Sequence, residues 1–168
     1  MTDTLCFPGN HPATEPWLRD LVGSLSLPDL ASRVLRYAHW DGSRGPDVDR
    51  EAGQVRGLRP ELAIAKSLGT ELLSYAHEHH EFRPSRAVLI GTPVARFDAG
   101  QLERLRRLLA AVPVLLIQQT KDVAGSCALL RESLVLPETC RLEEVPGSDH
   151  VYASGVVNPL IEAWYRGS

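Results

Sequence analysis

Short apolar runs alternate along the chain with longer segments in which apolar residues recur every three or four positions. Short runs rich in Val, Ile and Leu are typical of strands buried on both faces, and the three-to-four spacing is typical of helices with one apolar face. The runs predict six strands, at residues 4–7, 32–38, 61–66, 86–90, 112–118 and 140–145.

The segments between the strands predict helices. They cover residues 15–27, 68–80, 101–111 and 156–166, with two shorter helices at 125–132 and from Asp47 or Asp49 to about Leu58. Thr14 can cap the first helix, and Pro28 would end it. Strands that alternate with helices form a parallel sheet with helices on both faces. The predicted fold class is therefore α/β, a three-layer α/β/α sandwich around a six-stranded, mainly parallel sheet.

Length and charge limit the classes of partner. The chain has 168 residues, 43% of them hydrophobic and 23% charged, which suits one domain over residues 1–168 with its own core. The net charge of −3 gives no reason to expect a nucleic acid or an anionic membrane as partner. No signal-peptide pattern opens the sequence and no apolar run approaches the length of a membrane span, so we expect a cytoplasmic protein. The oligomeric state stays open.

Neither a metal nor a cofactor is expected. The cysteines, Cys6, Cys127 and Cys140, are too widely spaced for a disulfide framework or a zinc pattern. His77 and His80 lie three positions apart on a predicted helix, a spacing that metal ligands can use. They lie at the carboxyl end of that helix, where the helix dipole favours histidine, and this interpretation is preferred over a metal site. The sequence shows no glycine-rich phosphate loop, which argues against a flavodoxin-like nucleotide-binding domain.

Three residues with catalytic chemistry follow three of the predicted strands. In open parallel sheets, binding sites form beyond the carboxyl ends of the strands. Ser67 follows the third strand, Asp122 the fifth and His150 the sixth. A serine, an acid and a histidine are therefore expected at one edge of the sheet, in the chain order Ser…Asp…His.

The residues around the serine resemble the nucleophile elbow of the α/β-hydrolases. That motif is written G-x-S-x-G, and residues 65–69 read Ala-Lys-Ser-Leu-Gly, so alanine replaces the first glycine. Residues 113–122 resemble the family's strand-and-acid segment, and residues 145–150, Val-Pro-Gly-Ser-Asp-His, resemble its histidine loop. Residues 7–10, Phe-Pro-Gly-Asn, lie where the family carries its oxyanion loop, with proline in place of histidine. The resemblance covers nearly the whole chain and implies a minimal α/β-hydrolase fold without a lid.

The resemblance also implies a serine hydrolase of the carboxylesterase type with a small-molecule acyl substrate. Ser67 would be the nucleophile, His150 the base, and Asp122 the acid that orients the histidine. Asp98, after the fourth strand, is the alternative acid, because some members of the family carry the acid there. From its position alone, Ser67 is also a candidate helix N-cap. Activity is expected near neutral or mildly alkaline pH, since His150 must be neutral to accept a proton.

Further residues around the serine are assigned roles by the same resemblance. The backbone amides of Asn10 and Leu68 would stabilise the oxyanion. His11, His39 and Trp40 follow other strands at the same edge and are possible substrate contacts. An ester, thioester or amide of a small acid is the implied substrate, since no lid would shelter a long acyl chain.

Departures from the family pattern leave an alternative open. Besides the alanine at position 65, no glycine lies between Gln118 and Lys121, just before Asp122, and Pro8 replaces a histidine. The alternative is therefore a hydrolase-fold protein that binds a partner or ligand without catalysis. The sequence has only two lysines, Lys66 and Lys121, and each adjoins a residue assigned to the triad. We interpret this placement as coincidence.

Overall fold

A six-stranded sheet forms the centre of the computed structural model, which describes residues 2–27, 30–42 and 44–167. Its strands are β1 (Thr2–Phe7), β2 (Leu30–Val34), β3 (Leu62–Lys66), β4 (Arg86–Ile90), β5 (Val114–Gln119) and β6 (Cys140–Val145). They pair in the order β2-β1-β3-β4-β5-β6, and every pair is parallel. The prediction of an α/β fold around a six-stranded sheet is confirmed, and the sheet is parallel throughout.

Helices cover both faces of the sheet. They are α1 (Thr14–Gly23), α2 (Val48–Gly53), α3 (Leu68–His79), α4 (Ala99–Ala111), α5 (Cys127–Ser133) and α6 (Ser154–Gly167). Because successive strand residues point to opposite faces, the buried side chains form two clusters. One cluster packs α2, α3, α4 and α5 against one face, and the other packs α1 and α6 against the opposite face. The result is the three-layer sandwich.

The first helix is shorter than its apolar pattern suggests. The helix predicted over residues 15–27 ends before Ser24, whose N–H and hydroxyl both bond to carbonyls of the last turn. Leu25 and Leu27 are buried in the connection that follows, and their apolar character lengthened the predicted helix. Pro28, the predicted stop, lies outside the described residues.

The second strand lies earlier in the chain than predicted. Its expected range was 32–38, but pairing ends at Val34 and a 3₁₀ turn follows at Ala38–Asp41. Leu35 and Tyr37 are buried although they lie between the two elements. The apolar pattern therefore reported burial correctly but did not mark where the strand ends.

Helix α2 begins at a side-chain cap. Asp47 accepts a 3.1 Å hydrogen bond from the N–H of Arg50, so Asp47 rather than Asp49 is the cap. The helix ends at Gly53, earlier than the predicted end near Leu58.

The strand register brings four loops to one edge of the sheet. Phe7 lies opposite Ala65, and Gln119 lies opposite Val145, so the strands end at similar heights. The segments that follow β1, β3, β5 and β6 consequently meet at their carboxyl ends, where open parallel sheets form sites.

The structure also bears on membrane-spanning helices and on the state of the cysteines. Among the helices of the described ranges, none has both the length and the apolar character needed to span a bilayer. The three cysteines are free thiols, and Cys6 and Cys127 are buried. Burial raises the pKa of Cys6 to about 12, so this thiol stays protonated at neutral pH.

Candidate active site

Ser67 occupies a strained turn between β3 and α3. Its φ of 52° and ψ of −117° lie in a region that residues with side chains rarely adopt. The Ser67 N–H donates to the carbonyl of Ile90 at 3.0 Å, and the Thr70 N–H donates to the Ser67 carbonyl at 2.9 Å. Ser67 holds the N-cap position of α3, but its side chain makes no capping hydrogen bond. The hydroxyl is therefore available to another partner.

Gly69 allows β1 and α3 to approach each other closely. A Cβ at this position would collide with the carbonyl of Phe7 and would lie 2.7 Å from the carbonyl oxygen of Pro8. Both obstacles are backbone atoms, so a larger residue could not be accommodated by a side-chain movement. This contact holds the loop after β1 against the first turn of α3, beside Ser67.

The structure brings together the three side chains that the sequence placed at this edge. The Oγ of Ser67 lies 2.9 Å from Nε2 of His150. On the other side of the ring, Nδ1 lies 2.8 Å from both carboxylate oxygens of Asp122. The Asp122 side chain is fully buried and the His150 side chain is 22% exposed. With Nδ1–H donated to the carboxylate, the Nε2 lone pair faces the serine hydroxyl.

Asp122 receives further hydrogen bonds. The N–H of Ala124 donates to Oδ1 at 2.8 Å, and the hydroxyl of Tyr152 donates to Oδ2 at 2.6 Å. Burial raises the pKa of Asp122, but the hydrogen bonds from His150, Tyr152 and Ala124 outweigh it and leave that pKa below its usual value. The alternative acid, Asp98, is exposed and forms a capping box at the start of α4 instead.

Gln119 fixes the histidine loop, a role that the sequence did not suggest. Its Oε1 accepts the N–H of His150 at 3.0 Å, and its Nε2 donates to the carbonyl of Val151 and to Oδ1 of Asp149. Gly147 packs against the Gln119 side chain so closely that a Cβ there would lie 2.5 Å from it. His150 itself has a φ of 64°, so the loop needs this support to hold a strained conformation.

The loop after β1 lies beside the serine. A Cβ on Gly9 would be 3.4 Å from Cβ of Ser67. The Tyr37 hydroxyl donates to the carbonyl of Pro8 at 2.8 Å, and the Trp40 indole N–H donates to the carbonyl of Asn10 at 2.7 Å. These bonds fix the segment that carries the Asn10 amide, close to the first turn of α3.

The three residues predicted to contact substrate have different surroundings. The ring of His39 lies between Asn10 and the buried Glu51, with Nε2 3.1 Å from the Asn10 side chain and Nδ1 3.3 Å from the carboxylate. Its side chain is only 8% exposed, so like Trp40 it supports the loop after β1. His11 is exposed, and its Nδ1 accepts the N–H of Ala13. Substrate contact by these residues remains a prediction.

Lys66 is the residue that sequence reasoning misjudged. Its Nζ lies 3.0 Å from Nε2 of His150, and only 5% of the residue is exposed. Burial lowers the pKa of Lys66 from its usual 10.5 to about 8, and the charge of Asp122 opposes this change only in part. Lys121, by contrast, is exposed. In the sequence, the burial of Lys66 is indicated only by its position at the end of the apolar run of β3.

His80, one of the two histidines considered as metal ligands, has a protein partner. His80, which follows α3, is buried, and its Nε2 lies 3.2 Å from the carbonyl and 3.1 Å from the carboxylate of Asp49. In the part of the chain that the structure describes, no cluster of His, Cys, Asp and Glu is arranged to hold a metal ion. The contact with Asp49 ties the end of α3 to α2.

Comparisons with known proteins show which known fold this architecture resembles. No family model matches the chain, and no curated protein matches its sequence. The solved structure of TT1662 from Thermus thermophilus is 15% identical with a TM-score of 0.69, and the match covers 99% of this chain and 88% of that chain. An alpha/beta hydrolase enzyme from the metagenome of Mar Chica lagoon sediments, in Morocco, is 13% identical with a TM-score of 0.64, covering 99% and 91%.

A mutant of the meta-cleavage product hydrolase CumD is 11% identical with a TM-score of 0.66, and the match covers all of this chain and 92% of that chain. At identities this low, the likeness is informative about the fold. The chain has the α/β-hydrolase fold, as the sequence motifs predicted.

Proposed function

We propose that this protein is a serine hydrolase that cleaves a small ester, thioester or amide, with Ser67, His150 and Asp122 as its catalytic triad. One observation carries the proposal: a continuous line of hydrogen bonds runs from Ser67 Oγ through His150 to Asp122. A serine hydroxyl is a weak nucleophile unless a neighbouring base accepts its proton, and this line supplies that base and the acid that orients it.

The reaction would proceed in two steps. Ser67 Oγ attacks the carbonyl carbon of the substrate while its proton passes to Nε2 of His150. His150 then returns the proton to the leaving group as the tetrahedral intermediate collapses to an acyl-enzyme. Water, deprotonated by the same histidine, cleaves the acyl-enzyme and releases the acid. The Asp122 carboxylate stabilises the imidazolium in both steps.

The oxyanion would form between two backbone amides. Leu68 is the first residue of α3, where amides have no partner within the helix and the helix dipole is positive. Asn10 belongs to the loop that Tyr37 and Trp40 fix beside the serine. Loss of one such donor typically costs about 3 kcal/mol of transition-state stabilisation.

The surroundings of the serine favour a small acyl group. Residues 91–98 connect β4 to α4 with a single 3₁₀ turn at Val94–Arg96, at the place where larger α/β-hydrolases carry a lid. A short connection here gives a long acyl chain no cover from water. The proposed substrates are therefore small acyl esters, thioesters or amides.

A fluorophosphonate probe tests the proposal directly. The wild type should be labelled on Ser67, whereas Ser67→Ala and His150→Ala should not, and circular dichroism should show that all three proteins are folded. Hydrolysis of nitrophenyl esters of increasing acyl length would then define the substrate. Equal labelling of the wild type and Ser67→Ala, or no labelling of folded wild type at any pH, would refute the proposed activity.

A second candidate function is binding without catalysis. The observation that favours it is the contact between Lys66 Nζ and His150 Nε2, because an ammonium group that donates to Nε2 occupies the lone pair that the serine proton needs. The two candidates differ in one result: a binding protein would leave the probe unreacted even at alkaline pH, where the Lys66 amine is neutral.

A further inference from the structure

Lys66 is a buried cationic side chain whose hydrogen-bond partner is the ring of His150. Its Nζ is 3.0 Å from Nε2 and 4.9 Å from the centre of the Tyr152 ring. Gly91, at the end of β4, leaves room for it, since a Cβ there would lie 3.0 Å from Nζ. Within the described ranges, no carboxylate forms an ion pair with Lys66.

Lys66 and Ser67 compete for a single lone pair. The Nδ1–H of His150 is donated to Asp122, so Nε2 is an acceptor for one hydrogen bond. Two donors lie within reach of it, the Ser67 hydroxyl at 2.9 Å and the Lys66 amine at 3.0 Å. While the ammonium donates to Nε2, the hydroxyl has no base for its proton.

The two nitrogens cannot both be cationic at this distance without a large penalty. Like charges a hydrogen bond apart in a half-buried site strongly disfavour each other. The groups that face Nζ are His150 and Tyr152 from the loop after β6, Asp122 from the loop after β5, and uncharged Gly91, which follows β4. Only Asp122 carries a negative charge, and its oxygens are already bonded to His150 and Tyr152.

We propose that Lys66 and His150 hold one dissociable proton between them, and that Ser67 becomes reactive only when this proton has left the pair. The inference rests on the proposed role of His150 as the base. At pH values below the pKa of this shared proton, the proton stays mainly on Lys66, which donates to Nε2 and blocks the serine. At pH values above that pKa, the proton has passed to solvent and Nε2 accepts a hydrogen bond from Ser67. The neutral amine then no longer opposes formation of the imidazolium. Lys66 thus acts through His150 as a positioning residue.

The reduced pKa of Lys66, about 8, places this transition just above neutral pH. The rate of serine labelling should therefore rise through about pH 8 in the wild type. Without the amine, the rise should move to lower pH. At pH 7 a midpoint near 8 leaves roughly one tenth of the wild-type molecules reactive, so the variant should be labelled several-fold faster, up to about tenfold.

Two measurements test the inference. The first is the pH dependence of fluorophosphonate labelling for the wild type, Lys66→Met, Lys66→Arg and the control Lys121→Met. Lys66→Met should show the lower midpoint. Lys66→Arg keeps its charge and should react slowly at every pH. Lys121→Met changes an exposed lysine, also next to a triad residue, and should follow the wild type.

The second measurement is a nuclear magnetic resonance titration that requires no activity. With lysine labelled with ¹³C only at Cε, the two lysines of the sequence give two signals, and Lys121→Met assigns them. The Lys66 signal should titrate near pH 8, and the ring signals of His150 should move at the same pH in the wild type but not in Lys66→Met. This titration of the wild type decides the question even if Lys66→Met does not fold.

Each result bears on the inference. A Lys66 signal that titrates near 10.5, or a labelling midpoint that Lys66→Met leaves unchanged, would overturn it. If the wild type is never labelled but the coupled titration is seen, the proposed hydrolase activity fails and the shared proton stands. If labelling occurs without coupling, the activity stands and the shared proton fails.

Discussion

The hydroxyl of Tyr152 donates a 2.6 Å hydrogen bond to Oδ2 of Asp122 and accepts the N–H of Gln119 at 2.9 Å. Burial, together with the neighbouring carboxylate, raises the pKa of Tyr152 far above its usual value. The phenol therefore remains protonated, and a donor, at neutral pH. Since Asp122 is buried, Tyr152 helps to keep it ionised and in place against His150.

Replacement of Tyr152 by phenylalanine should weaken both stability and activity. The variant loses a hydrogen bond to a charged group, worth about 1.5–3 kcal/mol, and leaves the Gln119 N–H without its partner. We expect a decrease of about 2–4 kcal/mol in the free energy of unfolding by urea, with slower probe labelling. Tyr165→Phe, which removes an exposed hydrogen bond from a tyrosine hydroxyl to the carboxylate of Glu61, should cost about 1 kcal/mol or less and leave labelling unchanged.

The same variant should lose less stability in acid than the wild type. Because the folded-state pKa of Asp122 is lowered, its contribution to stability is present above the usual value of 3.8 and is lost as pH falls through the lowered value. Without the Tyr152 hydroxyl, the pKa of Asp122 should lie closer to 3.8, so less stability remains to be lost and the difference between the two proteins should shrink as pH falls. Urea unfolding between pH 2 and 6 measures this, and identical pH profiles for the two proteins would contradict it.

Gln119→Ala should disable the histidine loop. Its amide makes three hydrogen bonds to this loop, and removal of the side chain also leaves a cavity beside Gly147. We expect labelling to slow by at least tenfold and stability to fall by about 2–3 kcal/mol. Gln101→Ala, which removes the side-chain half of the capping box of α4, should lose about 1 kcal/mol of stability but keep the labelling rate. Equal labelling rates for both variants would show that Gln119 does not position His150.

Gly69→Ala should be among the most damaging single substitutions in the chain. The new methyl group would collide with backbone atoms of Phe7 and Pro8, so β1 or α3 must move. A loss of roughly 3 kcal/mol or more is expected in urea unfolding, together with loss of labelling. Gly23→Ala, where nothing lies within 4 Å of the added methyl, should instead be neutral or up to about 1 kcal/mol more stable.

Lys66→Met should stabilise the protein in a pH-dependent way. Since burial lowers the folded-state pKa to about 8, the charged lysine destabilises the folded state below that pH. Between pH 8 and 10.5 the unfolded chain binds more protons, so wild-type stability rises with pH and the penalty disappears. At pH 7 the variant should be more stable by an amount on the order of 3 kcal/mol.

Urea unfolding of both proteins from pH 6 to 11 measures this difference. Lys121→Met is the control and should run parallel to the wild type at every pH, because Lys121 is exposed. A constant difference between Lys66→Met and the wild type would indicate a packing effect instead of a buried charge.

Most of the fold could be predicted because burial in a parallel sheet leaves a direct mark on the sequence. The strands Arg86–Ile90 and Cys140–Val145 have their predicted bounds. Errors arose where apolar residues are buried outside regular elements. Leu27 lengthened the predicted first helix, and Tyr37 lengthened the predicted second strand.

The site could be predicted only as far as it depends on strand ends. Ser67, Asp122 and His150 follow separate strands of a parallel sheet, which places them at one edge. The supporting contacts of Tyr152 and Gln119, and the approach of Lys66 to His150, depend on side-chain directions within loops. The spacing of residues along the chain does not reveal these side-chain directions. For this reason the position of Lys66 next to the serine was interpreted as coincidence.

The hydrogen bond between Ser67 and His150 joins residues 83 positions apart, and His150 is carried by the loop that follows β6, an edge strand. Contacts between distant segments generally form late, because the intervening chain must first lose its conformational freedom. Reactivity of Ser67 should therefore return during refolding only after β6 has docked. Comparison of its recovery with that of tryptophan fluorescence would separate collapse of the chain from completion of the sheet.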